Sequence, residues 1–475
     1  MPETIHAQAR SRTTVAEDIG SWVAKLKYEE LPPEVIAKAK LILLDTLGCA
    51  LGAIGAGPVR MAQRVGSVQG GNPHATLLGL GRKVACDQAA FVNGMAIRYL
   101  DYNDYAALGS PHHCSIIVAP ALAVAEMQRL TGRDLLLGMA AGYEVQLRFR
   151  DATEPGSRSS GWDKGTIATA YSSAAVAGKL LGLDASRIAH AIAIAGAHAN
   201  TLAEVRGDGL KSGGVMTPSK GTADPMSART GTFAALLARE GLTYPLTILE
   251  GTAGYGKVVA GVLHENVLRE RSGDFQILKS CFKMWPCFVY AQAPIAAALE
   301  IRRKNVVPEQ IEHVTVSLTD AGYENQQAFA GEITAREHAD HSVPYAVARA
   351  LLDGEVRVDD FDEKRFAEPR VVGLMHKVSL RSEPSLTKVD KDGLGAHVEV
   401  QLRNGSTQRA EVPNPPGSLQ NPPDQESLIR KFVALSQSLL GMERSRRAAE
   451  TILAVEKIAD LGVLVSALSP PAKAG

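Results

Sequence analysis

Cysteine is scarce in this chain. Five of its 475 residues are cysteine, at 49, 86, 114, 281 and 287. An odd count without framework spacing excludes a disulfide-built fold and fits a reducing, cytoplasmic location. Excess charge of one sign is lacking as well: Lys+Arg and Asp+Glu both total 51. That balance argues against nucleic acid or an anionic membrane as a main partner. Aromatic residues make up only 5% of the chain. Alanine is abundant instead, which favours closely packed helices. Long hydrophobic runs are missing too. The apolar stretch from Ile116 stops at Glu126, too short to cross a bilayer. The polar segment Met1–Thr14 has no signal-peptide core. The expectation is a soluble globular protein of two or three domains.

Several chemical motifs are also absent. Gly207-x-Gly209-x-x-Ser212 lacks the third glycine of a dinucleotide fingerprint, and no Gly-Lys-[Ser/Thr] follows. Ser280-x-x-Lys283 has acyl-transfer spacing, but its companions Ser-Asp-Asn and Lys-Thr-Gly are missing. No Gly-x-Ser-x-Gly elbow occurs. Neither His-x-x-x-His nor Cys-x-x-Cys lies near the paired histidines, so no metal and no cofactor is expected.

What the chain does have is the stretch from Asn93 to Glu126. Two apolar helices bracket a short loop that carries Asp101, Asp104, Tyr105, His112 and His113. An apolar helix ending in carboxylates is costly unless those groups are solvated, paired or used. Helical spacing predicts Asp101 and Tyr105 on one face with Asp104 beside them. The loop is short enough to turn His112 or His113 back over that face. A carboxylate, a phenol and an imidazole meeting at a helix end form an acid–base site.

Around this stretch the pattern is mostly helical. A helix is predicted over Thr14–Lys27 and another from Pro33 to Ile54, where Gly48, Ala50, Gly52 and Ala53 permit close approach of a second backbone. Asp45, alone in that apolar helix, reads as a structural carboxylate. The glycine-rich segment from Arg206 to Asp224 carries Lys211, Thr217, Ser219 and Lys220. It feeds a helix predicted to open at Pro225, an arrangement that suits an anion. Near Gly273 the composition shifts. Period-two segments at 313–318, 377–381 and 397–402 predict strands, with a helix from Pro344 to Leu352 between them. A proline-rich linker, 413–423, precedes a helical tail over 427–468. The fold class expected is mainly α with a smaller α/β domain. A helical domain spans 10–270, a small α/β domain spans 271–411, and 412–470 returns to pack on the first.

The order of these motifs resembles the MmgE/PrpD family over nearly the whole chain, from Ala16 to about Leu468. Leu100-Asp101-Tyr102-Asn103-Asp104 is similar to the family's Leu-Asp-Phe-Asn/Asp-Asp. His113-Cys114-Ser115 followed by Pro120 is similar to its His-Pro-Ser/Gly segment, which assigns the motif position to His113. Gly161-Trp162-Asp163 matches its Gly-x-Asp-His. Lys220 ahead of Thr230-Gly231, Lys283-x-Trp285-Pro286 and His341-Ser-Val-Pro344-Tyr345 match three further segments. Lys164, Phe288 and Tyr290 stand where members often place histidine. Cys114 replaces a proline, and Tyr105 a threonine.

The resemblance implies a large helical domain built from both chain ends, with the small α/β domain as a lid over a cleft. It implies a homodimer acting without metal or organic cofactor. It implies an acid–base lyase, first a dehydratase or hydratase of a small di- or tricarboxylic acid resembling 2-methylcitrate. Decarboxylation, epimerisation and non-catalytic binding are the alternatives. Asp101 and His113 supply base and acid, with Tyr105, Asp163 and Lys164 beside them. Lys220, Lys283, Arg206 and Tyr323 hold the carboxylate substrate.

Overall fold

The computed structural model describes residues 12–69, 71–106, 113–153, 161–206, 216–271, 273–329, 331–389 and 393–470. It is mainly helical with a smaller α/β part. Several helices begin where a side chain satisfies an otherwise orphaned N–H group. Thr14 caps Val15–Lys25, with Glu17 completing a capping box. Pro33 opens Pro33–Ala53, where its missing N–H costs nothing. Thr131 and Asp184 cap Gly132–Asp151 and Ala185–His198. No single helix among the described residues is long and apolar enough to cross a membrane.

The helical core gathers buried residues from Val15 through Phe282, and again from Leu428 through Leu468. The chain end therefore returns, and Gln425–Leu440 packs along Pro33–Ala53. Gly48 permits that contact: a Cβ there would stand 3.2 Å from the Phe432 Cα. The helix predicted to open at Pro225 opens earlier, as Ser219–Arg239. Pro225 lies inside it, against Gly94, where an added Cβ would come within 3.1 Å of the proline ring. Proline favours a first turn but is tolerated deeper where a neighbour leaves room for its ring.

A second core runs from Cys287 to Ala410. Its sheet has the order Val378–Ser382, Ile311–Leu318, Ala396–Leu402, Thr407–Val412. The first pair is parallel and the other two are antiparallel. The parallel connection contains Val343–Asp353, which lies with Gln292–Arg303 against the sheet. Alternation along Ala396–Leu402 buries Ala396, Val398, Val400 and Leu402. The fourth strand is absent from the sequence expectation because Thr407–Val412 buries only Ala410, which leaves no alternation to read. The two cores exchange between Phe282 and Cys287, and again between Ala410 and Leu428.

Candidate active site

The site begins where the helix Cys86–Tyr99 stops. Asp101 takes φ +49°, in the left-handed region. Aspartate is one of the few non-glycine residues found there, at a cost of about 1 kcal/mol. That turn breaks the helical register, so the predicted alignment of Asp101, Asp104 and Tyr105 on one face does not form. Asp104 turns instead to accept from the Ser115 N–H at 3.1 Å and the Tyr143 hydroxyl at 2.6 Å. Burial pushes its carboxyl upward against those bonds. Tyr105 enters a two-residue strand opposite Cys281 and is buried in a small cluster with Val289 and Leu394.

Asp101 is the centre of charge. Its side chain is 0% exposed. Arg98 donates to Oδ1 from one turn back. The Lys283 ammonium lies 3.1 Å from Oδ1 and donates to the Asp101 carbonyl at 2.8 Å. Lys220 stands 3.8 Å from Oδ2. Burial opposes ionisation, but Lys220, Lys283 and Arg98 outweigh it and hold the carboxyl well below the usual range. A carboxylate so stabilised is a weak base. Its surroundings suit it to organising cations, which departs from the role of proton acceptor expected of it.

The loop does bring His113 back. Its Nδ1 lies 2.9 Å from the Asp104 carbonyl oxygen. A carbonyl only accepts, so Nδ1 carries the proton and Nε2 keeps its lone pair. Nε2 is 3.7 Å from Asp101 Oδ1, beyond hydrogen-bond reach. Burial, then repulsion from Arg98 and Lys283, lowers the imidazole pKa well below normal, so the ring is neutral at pH 7. At 16% exposed it is the most accessible side chain of the cluster. His112 lies outside the described residues.

Lys220 occupies the first turn of Ser219–Arg239, where a cation works against the helix dipole. Two carboxylates offset that cost, because its ammonium also lies 2.8 Å from Asp340 Oδ1. The same ammonium is 3.2 Å from His341 Nδ1. Asp340 and His341 were not expected in the site. His341 Nδ1 is 2.5 Å from Asp340 Oδ1, and its Nε2 is 4.0 Å from Asp101 Oδ2. Phe288 stacks on the imidazole with centroids 4.6 Å apart. The available signal was an adjacent Asp–His pair directly before a helix opened by proline. Arg98, also unexpected, was visible as the one cation at the end of an apolar helix. Asp101, Asp340 and His341 bring ligand atoms within 4.8 Å of one another. The cation converging on them is the Lys220 ammonium, so the donor set is a poor fit for a metal ion.

Other expected residues stand elsewhere. Asp163 caps Lys164–Leu180 through the Thr166 N–H. Arg206 bridges Asp163 at 2.8 Å and Asp224 at 2.9 Å, and donates to the Lys220 carbonyl at 3.0 Å. Asp224 in turn lies 3.3 Å from Arg98. Arg206 and Asp163 thus stand behind the site as a brace, and the Arg206 charge is held by two carboxylates rather than presented to a substrate. Lys164 donates from its ammonium to the Ala260 carbonyl at 2.6 Å. Tyr323 lies in Asp320–Gln327 against the core of the small part. The anion site expected of the glycine-rich loop includes 207–215, which lie outside the described residues. Its Lys220 points into the acid–base cluster.

Lys431, on the returning helix, buries its ammonium behind this cluster. It meets Asp45 Oδ1 at 2.6 Å, the Tyr102 carbonyl at 2.7 Å and the Lys283 carbonyl at 2.9 Å. It also lies 3.6 Å over the Tyr102 ring. Asp45 is thereby the structural carboxylate its sequence setting predicts.

Comparison with known proteins gives a consistent result. A family model described as the MmgE/PrpD N-terminal domain matches residues 17–264. One described as the MmgE/PrpD C-terminal domain matches residues 285–457. The cis-aconitate decarboxylase of Homo sapiens is 27% identical over 473 residues, covering 96% of this chain and 95% of its own. That of Mus musculus is 26% identical over 477 residues, covering 96% and 94%. The 2-methylcitrate dehydratase of Salmonella typhimurium is 26% identical over 417 residues, covering 82% of each chain.

Proposed function

From the premise that the chain belongs to the MmgE/PrpD family, whose relatives are named as enzymes, we propose that it is an acid–base lyase of a small tricarboxylic acid. Hydration or dehydration of a 2-methylcitrate-like acid is the first reading. The observation that carries it is His113: a neutral imidazole with Nε2 free to accept, beside a carboxylate that three cations keep ionised. A proton next to a carboxylate is very weakly acidic. Its removal needs a base in reach and fixed positive charge where negative charge builds. His113 is the base in this reading. Lys220 and Lys283 hold substrate carboxylates, and Asp101 keeps both ammonium groups aimed. The same reading carries a homodimeric, cytoplasmic protein that needs no resident metal.

Decarboxylation of a cis-aconitate-like acid is the second reading. It is favoured by coverage: the decarboxylases match along 96% of this chain and the Salmonella typhimurium dehydratase along 82%. The deciding experiment offers 2-methylcitrate, citrate, cis-aconitate, itaconate and iminodisuccinate in deuterated water, with and without a chelator, followed by NMR. Turnover or deuterium uptake by one tricarboxylate, unchanged by the chelator, is expected. No turnover and no exchange from any of them would remove the lyase reading. Activity lost on chelation and restored by one divalent ion would overturn the metal-free part.

Lys220→Ala should raise KM by about 10–100-fold, because a charged hydrogen bond to a substrate carboxylate is worth about 1.5–3 kcal/mol, and should also lower kcat because that bond strengthens as negative charge builds in the transition state. Near wild-type values for both constants would show that the ammonium serves only Asp340 and Asp101.

A further inference from the structure

A dehydration moves two protons. One leaves carbon for His113. The other must reach the departing hydroxyl, and nothing above carries it. Family resemblance would place an imidazole at position 288, but this chain has phenylalanine there. The Phe288 ring stacks instead on His341 at 4.6 Å, and Phe329 tilts against the same imidazole at 5.0 Å. Two apolar rings therefore fix the plane of a histidine contributed by a different segment. Asp340 fixes its edge: its carboxylate only accepts, so the 2.5 Å contact leaves the Nδ1 proton on His341 and Nε2 as the open nitrogen. Nε2 faces Asp101 Oδ2, while His113 Nε2 faces Oδ1. The two imidazoles thus address the central carboxylate through different oxygens. His113 comes from the helical part and His341 from the small one.

We propose that the Asp340–His341 pair is the second proton carrier of the site and handles the proton of the hydroxyl group that leaves or adds. This assignment rests on the lyase reading above. In dehydration His113 Nε2 takes the proton from carbon, the C–H electron pair becomes the double bond, and the C–O bond breaks. The oxygen departs as water with the proton from His341 Nε2. In hydration the same nitrogen takes a proton from water as its oxygen bonds to carbon, and His113 returns its proton to the neighbouring carbon. Either direction needs one proton shared between the two imidazoles.

In the unliganded site that proton is missing. Burial and the Lys220 ammonium push the His341 pKa down to about 4, with the Asp340 and Asp101 carboxylates opposing. Among the described residues, Lys220, Asp340 and Asp101 are the charged groups facing the ring, and Phe288 and Phe329 are neutral. A bound polyanion adds negative charge beside both imidazoles and raises their affinity for a proton. The proton therefore enters with the substrate.

The test uses tricarballylate, a tricarboxylate with neither hydroxyl nor double bond, so binding is read without turnover. Calorimetric titration at pH 8 in buffers of different ionisation enthalpy measures protons taken up. Wild type should take up close to one. His341→Gln should still bind but take up much less, and should lose roughly 10²-fold or more in turnover and in hydroxyl exchange with labelled water. Asp340→Asn keeps the imidazole and removes its carboxylate. In the dehydration direction the alkaline limb of its pH–rate profile, where His341 loses its proton, should move to lower pH with a lower maximum rate, a change that a purely structural role would not produce. Equal proton uptake in wild type and His341→Gln, or no uptake in wild type, overturns the proposal. Should the panel of acids give no turnover and no exchange, the lyase reading fails by itself. The pair is then judged on the proton uptake alone.

Discussion

His113→Ala should lose about 10²–10⁴-fold in turnover while still binding substrate, because general-base catalysis contributes on that order and little else in the site depends on this ring. Its Nδ1 proton is held by a backbone carbonyl, and among the described residues no carboxylate lies within hydrogen-bond reach of its Nε2. The binding cations Lys220 and Lys283 should therefore keep their places. In the wild type the rate should fall as pH drops through the imidazole pKa, which burial and the two nearby cations set below the ordinary value of about 6.5. His112→Ala should lose much less. Deuterium exchange at the substrate carbon separates the two. Full exchange in His113→Ala with none in His112→Ala would reverse the assignment.

Asp101→Asn should be both inactive and unstable. Asparagine tolerates the left-handed backbone, so the turn at φ +49° survives the exchange. What goes is the charge against which Arg98 and Lys283 are buried, 2% and 0% exposed. Removing one partner of a buried ion pair costs about 3–5 kcal/mol. Turnover should fall roughly 10³-fold, since the cations lose their aim. Stability should also depend on pH with a definite sign. Burial already lowers the Lys283 pKa, with Asp101 opposing and Arg98 adding to the fall. Without Asp101 it drops further. Between that folded value and the ordinary value of about 10.4 the unfolded chain holds the extra proton, so the variant should grow more stable as pH rises. Urea melts at several pH values check this. A variant that melts like wild type at every pH would show that the cations are satisfied elsewhere.

The large features of this fold are written locally and could be read. Thr14, Pro33 and Asp184 start helices by chemistry confined to one turn, and Ala396–Leu402 alternates because one face is buried. Asp101, His113, Lys220 and Lys283 stood out because charge beside apolar segments demands an explanation, and the structure brings all four together. What was misread depends on direction rather than residue type. A helix carried past Tyr99 puts Tyr105 beside Asp101, whereas one left-handed residue redirects both Asp104 and Tyr105. Arg206 and Lys164 look like open cations in sequence, yet long side chains reach carboxylates and carbonyls from distant segments. Asp340 was not singled out and His341 was read only as part of a motif ahead of a helix, because both enter from the small part, and the packing of the two cores has no local signature.

Lys431 sets an order on the life of the molecule. Every titratable group of the acid–base cluster is synthesised before it, the last being His341, 90 residues earlier in a chain of 475. Until that helix emerges, Asp45 lacks the ammonium that meets it at 2.6 Å, and the carbonyls of Tyr102 and Lys283 that it joins are not clamped. Translation must therefore run into Gln425–Leu440 before that ion pair and those two carbonyl contacts can form. A product released anywhere in the proline-rich segment would hold all the chemistry and none of the fastening. The returning helix thus fastens from behind a set of charges that the earlier chain has already supplied.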